Sequence, residues 1–199
     1  MTFTDEVYSQ PPRETLDQSV ILADVYFHAV DEVRPGLVLT PTCDFEHGKC
    51  AYVQICALFG VDEIISDLLV GSWKKLNLAD ANGRLVAGPL SAGKRGELTG
   101  KVRELITQRF PRYHWLPPFP GDYTPSVIDF QVITSVDPQE LVSGGVRILA
   151  ELRSPFREQV PSRYSAYMSR VGTPDPPQSE LDAWVNGTVT SLFPDKKDS

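Results

Sequence analysis

Three cysteines and a histidine crowd one stretch of this 199-residue chain. Cys43, His47, Cys50 and Cys56 are spaced C-x3-H-x2-C-x5-C. Thiolates and imidazole are the donors zinc prefers, and four of them make a closed tetrahedral structural site. His47-Gly48 lies between two apolar runs, and glycine readily takes positive φ. The sequence therefore predicts a tight hairpin turn that draws Cys43, His47 and Cys50 together. Cys56 follows Cys50 on the return strand, roughly 20 Å away at strand rise, and falls outside that cluster. The candidate metal set is Cys43, His47 and Cys50, with zinc as the alternative to the plainer expectation of no cofactor. On that plainer reading the cysteines are buried structural residues and the histidine belongs to a turn. A nucleophilic Cys43 would need a base or a positive field to lower its pKa. His47 across the turn and the remote His114 are the bases on offer, while Asp44 acts in the opposite direction.

Anion binding is the second chemistry to weigh. Gly88-Pro-Leu-Ser-Ala-Gly-Lys94 fits G-x4-G-K after an apolar run. A phosphate loop needs Ser or Thr after the lysine to hold magnesium, and Arg95 stands there. Gly96 then follows where the helix should be running, so the segment reads as a loop. Lys94 and Arg95 remain candidate anion contacts, together with Arg153 and Arg157 at the start of a late helix. Arginines at a helix start oppose its dipole unless an anion or a carboxylate pairs with them. Glu151, Glu158 or Asp129 could do so internally. The basic run of Lys94, Arg95, Lys101, Arg103, Arg109 and Arg112 reads as the solvated face of an amphipathic helix.

These residues sit in an ordinary globular composition, 41% hydrophobic and 23% charged, which argues against disorder over the chain. Seventeen prolines favour many short elements and firm turns over a long-helix bundle. The formal charge of −7 gives no overall pull toward nucleic acid or an anionic membrane. No apolar run approaches the ~20 residues that span a bilayer, and the first residues carry no export signal. The expectation is a cytoplasmic protein with no membrane contact and reduced thiols.

The elements that would position the candidates follow from periodicity and punctuation. Residues 1–17 are polar, carry Pro11-Pro12, and read as an extended arm. Strands are predicted over 20–27, 37–40, 50–58, 84–87, 113–118 with its closing prolines, 127–134 and 146–152, with 31–35 as a polar link. Helices are predicted over 60–70, over 98–106 stopped by Pro111, and from 156 to a stop at Gly172, with a kink or restart at Pro161. Residues 173–199 read as a proline-rich link and a short helix opened by Ser179-Glu-Leu-Asp182. The expected fold is α+β: a small twisted or SH3-like barrelled sheet of about six strands with three to four flanking helices, in one domain over 18–172.

The segment Val20-Ile-Leu-Ala-Asp-Val-Tyr, then Arg34-Pro35-Gly-Leu-Val-Leu-Thr40, then Tyr52-Val-Gln-Ile-Cys-Ala-Leu58 resembles the opening of MazF/PemK-type bacterial toxins. That resemblance implies a small SH3-like barrel and ribonuclease activity, with Arg34 contacting and cleaving RNA. The loop before the Arg-Pro is here Asp31-Glu-Val, and Ala57-Leu-Phe-Gly60 offers no Thr or Ser at the family's second catalytic position. The whole chain is also similar to uncharacterised bacterial proteins carrying Thr42-Cys-Asp44, Leu116-Pro-Pro118, Ser154-Pro-Phe-Arg-Glu158 and Arg170-Val-Gly-Thr-Pro174, a likeness that implies no activity.

No complete catalytic set is legible. The leading expectation is a non-enzymatic binding or accessory component of a bacterial intracellular complex, in a defence or toxin-related setting, with a protein partner. Trp73, Trp115 and Trp184 are its candidate anchors. The alternatives are a MazF/PemK-like endoribonuclease or its inactive relative, which would bring nucleic acid as a partner, and a zinc-stabilised domain.

Overall fold

The computed structural model describes residues 3–73, 92–120 and 124–169. They contain six strands and six helices: α1 (Phe3–Val7), β1 (Val20–Phe27), β2 (Glu32–Val38), α2 (Thr42–Glu46), β3 (Val53–Gly60), α3 (Val61–Trp73), α4 (Ala92–Ile106), β4 (Tyr113–Leu116), β5 (Ser126–Val136), α5 (Pro138–Ser143), β6 (Ile148–Glu151) and α6 (Phe156–Met168). The strands form one curled, half-barrel antiparallel sheet in the order β4-β5-β3-β2-β1-β6. The fold is thus the α+β, barrel-like class expected. Residues 1–168 make one compact unit, and 169–199 group apart from it. The strand predicted over 84–87, the stop at Gly172, the link and the last helix lie outside the described residues.

Alternation along the strands, interrupted by register shifts such as that between Leu22 and Val25, gives the sheet two apolar faces. Ile21, Leu37, Cys56, Leu58, Ile128 and Phe130 pack on one side against Val160 and Phe156 of α6. Val20, Leu22, Val38, Val53, Ile55 and Ala57 pack on the other against Leu141 of α5 and Phe45 of α2. A third cluster joins Ile64 and Ile65 of α3 and Leu105 of α4 to Tyr113 and Val127. Fully burying each such side chain contributes about 1.5–3 kcal/mol, so these faces fix which way every strand turns.

Pro161 neither stops nor restarts the last described helix. Proline removes the hydrogen bond to the carbonyl four residues back, here that of Arg157. Buried Ser19 donates its hydroxyl to that same oxygen at 3.1 Å, and α6 continues.

The first residues are not a free extended arm. Val7 and Tyr8 are buried, and Leu16 packs against the core. Tyr8 bridges Leu152 in antiparallel fashion and donates its hydroxyl to Pro117 O at 2.7 Å. Arg13 then pairs with Glu151 at 2.8 Å and with Asp17, and these are two buried carboxylates. The segment thereby covers the outer side of β6 near its end.

The other edge, β4, is closed by a side chain. The end of α4 has its left-handed cap at Gln108, φ +60°, with Arg109 N donating to Glu104 O and Gln108 N to Leu105 O. That is the 6→1 and 5→2 pattern in which glycine is usual. Glutamine is there because its amide donates to Trp115 O at 2.8 Å and accepts from Trp115 N at 3.1 Å, standing in for a further strand. We expect Gln108→Ala to cost about 2 kcal/mol, from two lost hydrogen bonds. Gln108→Gly should cost about 1 kcal/mol less, because it relieves the left-handed backbone. Urea midpoints of the two variants check that order.

Candidate binding site

Where the Tyr8–Pro117 bond ties the N-terminal segment to the end of β4, a cavity of about 150 Å³ lies beside the sheet. Val7, Ile106, Trp115, Leu116, Pro117 and Phe156 make its apolar walls, with Gln108 and Gln159 beside them. His114 completes the lining. On β4, Tyr113 and Trp115 face the α3–α4 cluster, so alternation turns His114 and Leu116 to the opposite side.

His114 is 2% exposed, and its Nδ1 has no hydrogen-bond partner. Burial, and secondarily the charge of Arg163, lowers its pKa from 6.5 to about 3. The ring is therefore neutral at physiological pH and a poor general base there. Arg163, on α6, gives one terminal nitrogen to Phe110 O at 3.1 Å and Tyr113 O at 3.0 Å, while its Nε also lacks a partner. Buried polar atoms in native proteins are nearly always satisfied. His114 lines the cavity and Arg163 does not, so the orphaned imidazole nitrogen is the one that belongs to the recess. Its chemistry is recognition: a mostly apolar recess with a neutral imidazole in its wall.

The cysteine stretch is built differently from the predicted hairpin. Thr42–Glu46 is the short helix α2, and Gly48, φ +59°, is its stop: Gly48 N donates to Phe45 O and Lys49 N to Asp44 O. The positive φ is present, but it ends a helix rather than joining two strands, and β3 begins only at Val53. Cys43 is exposed on α2 and contacts Asp44, Cys50 is half-buried with its thiol on Tyr52 O, and Cys56 is buried in the sheet. Burial and Asp44 push the Cys50 thiol up, and burial does the same to Cys56, so neither is an activated thiolate. Among the described residues no three or more His, Cys, Asp or Glu are grouped to hold a metal ion, which leaves Cys43, His47 and Cys50 without a shared centre.

Arg34 lies inside β2, which starts at Glu32 rather than after a link. Its guanidinium pairs with Glu32, meets both carboxylate oxygens of Glu63 at 2.8 and 3.1 Å, and stacks on Phe59 at 4.3 Å. The hydrogen bond to Glu63 contributes most to raising its pKa. Its donors are committed internally. Arg153 is exposed and donates to Asp5 O at 3.2 Å, and Arg157 pairs with Glu158 at 3.6 Å. Glu151 and Asp129 serve other arginines, Arg13 and Arg112. Lys94 and Arg95 fall in the first turn of α4, and their side chains lie outside the described residues. Among the described residues, the structure does not gather the sequence-predicted ones at one place.

The residues it does gather are not legible in the sequence as a group. There His114 reads only as a remote base and Trp115 only as an anchor. The signal available is a polar residue at an inward position of Tyr113-His-Trp-Leu116, where alternation demands an apolar one. The structure defines the protein as an α+β chain with a half-barrel antiparallel sheet. Compared with known proteins, it matches no family model and no curated protein.

Proposed function

We propose that the chain is a non-enzymatic binding module, an accessory component of a bacterial intracellular complex, that takes an apolar group of a protein partner into the recess beside β4. The observation that carries this reading is the cavity itself, with apolar walls and a neutral, unpartnered His114 in its lining. Three of the groups that catalysis could have used are unsuited to it as they stand. Arg34 is held by two glutamates, and the thiols of Cys50 and Cys56 are disfavoured as anions. Strand addition is not the route at Trp115, since Gln108 already occupies its outward backbone groups. A pocket of this size suits a single anchoring side chain rather than a metabolite.

Gln159 is exposed on α6 and lines the cavity, so Gln159→Trp should obstruct the recess without disturbing the core. We expect a partner cross-linked to the wild-type chain in its native host to be lost with Gln159→Trp, while circular dichroism stays the same. Recovery of the free chain alone from wild-type cells, or of an undiminished complex from the variant, would count against the recess as the binding site.

A further inference from the structure

The recess beside β4 specifies more than an apolar group. We propose that it takes a phenolic ring, the side chain of a partner's tyrosine, whose hydroxyl supplies the hydrogen bond that the His114 imidazole lacks. This assignment rests on the recess being the binding site of the module.

Size is the first constraint. A cavity of about 150 Å³ accommodates one benzene-sized ring. It is smaller than the roughly 300 Å³ at which sites for whole metabolites begin. Val7, Leu116 and Pro117 offer such a ring hydrocarbon contact, and Phe156 offers an aromatic neighbour.

Charge is the second. An ammonium group would enter the field of Arg163, which already reaches His114, and would meet no carboxylate in the lining. A carboxylate would give up its hydration against hydrocarbon walls, and Arg163 does not line the cavity to pair with it; one of its terminal nitrogens donates to Phe110 O and Tyr113 O instead. The ligand group is therefore neutral.

Hydrogen bonding is the third. Nδ1 of His114 is either an acceptor or a donor, according to the tautomer. A hydroxyl can donate and accept, so it satisfies either form, and a phenol carries that hydroxyl on a ring of the right size. Nδ1 lies within the wall, so the imidazole must turn about its soft, roughly two-fold torsion to meet the hydroxyl as the phenol enters. Toluene would fill the space and leave the orphan unmet. Tyrosine is the amino-acid side chain that carries a phenol.

The test titrates the full chain with p-cresol, toluene, 4-methylbenzoate and N-acetyltyrosinamide, following the His114 ring resonances by NMR. p-Cresol should bind roughly tenfold more tightly than toluene, the worth of one satisfied buried polar group. 4-Methylbenzoate should bind least, and N-acetyltyrosinamide should shift the same resonances. In His114→Leu the preference for p-cresol over toluene should vanish while toluene still binds. Equal binding of toluene and p-cresol to the wild type would overturn the phenol assignment and leave an apolar recess in place. Preference for 4-methylbenzoate would overturn the assignment of a neutral ligand. p-Cresol binding without N-acetyltyrosinamide binding would assign the recess to a free small molecule and overturn the tyrosine assignment. Failure of every ring to bind would remove the recess, and with it the binding-module reading built on it.

Discussion

Arg112→Ala is expected to destabilise the chain by about 3 kcal/mol, as the loss of one partner from a buried ion pair does. Asp129 is 2% exposed in the middle of β5, and Arg112 grips it with two nitrogens, one of them at 2.8 Å. Without the arginine, the Gln131 backbone N–H at 3.0 Å still donates to a carboxylate shut away from water, and the charge itself is left unpaired. The arginine side chain is 39% exposed and stacks on Tyr113, so part of the loss is packing rather than charge, and solvent tempers the electrostatic part. The double variant Arg112→Ala/Asp129→Asn separates the two contributions. A neutral amide costs far less to bury than an unpaired charge, so the double variant should be more stable than Arg112→Ala alone. Urea unfolding of the wild type, both single variants and the double gives the coupling directly. A double variant less stable than Arg112→Ala would show that the pair acts through shape and not charge.

Where sequence reading succeeds and fails follows from the range of the interactions involved. β1, β4, β5, α3 and α6 are placed within a few residues, because each shows its own period of apolar side chains. α2 and α5 are missed because five and six residues are too few for a period to register. Their caps are nevertheless written in the chain. Asp137 accepts from Gln139 N, Pro138 follows it, and Gly145 at φ +65° closes α5, just as Gly48 closes α2. Glycine at a helix stop and glycine in a hairpin look alike in sequence, and only the carbonyls they satisfy tell them apart. The recess is illegible for a different reason. Its parts come from α1, α4, β4 and α6, and the bond that ties two of them, Tyr8 to Pro117, spans 109 positions. No local pattern encodes such a meeting. The cysteine stretch looks like chemistry because its residues are close in sequence, whereas the fold puts Cys56 inside the sheet and Cys43 on its outside.

Acidification should unfold this protein earlier than its carboxylates alone would dictate, and His114 is the reason. Its folded-state pKa is lowered by burial to about 3, against 6.5 for a free side chain. Between those values the unfolded chain holds a proton on this residue that the folded chain does not. Stability then falls as pH falls through the window, beginning near 6.5 and continuing toward 3. Each pH unit crossed costs up to about 1.4 kcal/mol, so the total reaches a few kcal/mol near pH 4. His114→Leu removes the titrating group and replaces it with a side chain suited to Leu116, Phe130 and the cavity wall. At pH 7 the substitution should be close to neutral or mildly stabilising, since it also deletes an orphaned buried nitrogen. At pH 4.5 the variant should exceed the wild type by about 3 kcal/mol in denaturant titrations. Parallel stability curves for the two proteins between pH 7 and 4.5 would mean that His114 accepts a proton without loss of the fold. The recess would then admit water or counter-ion to the imidazole, and the dry, neutral character on which recognition depends would be lost with it.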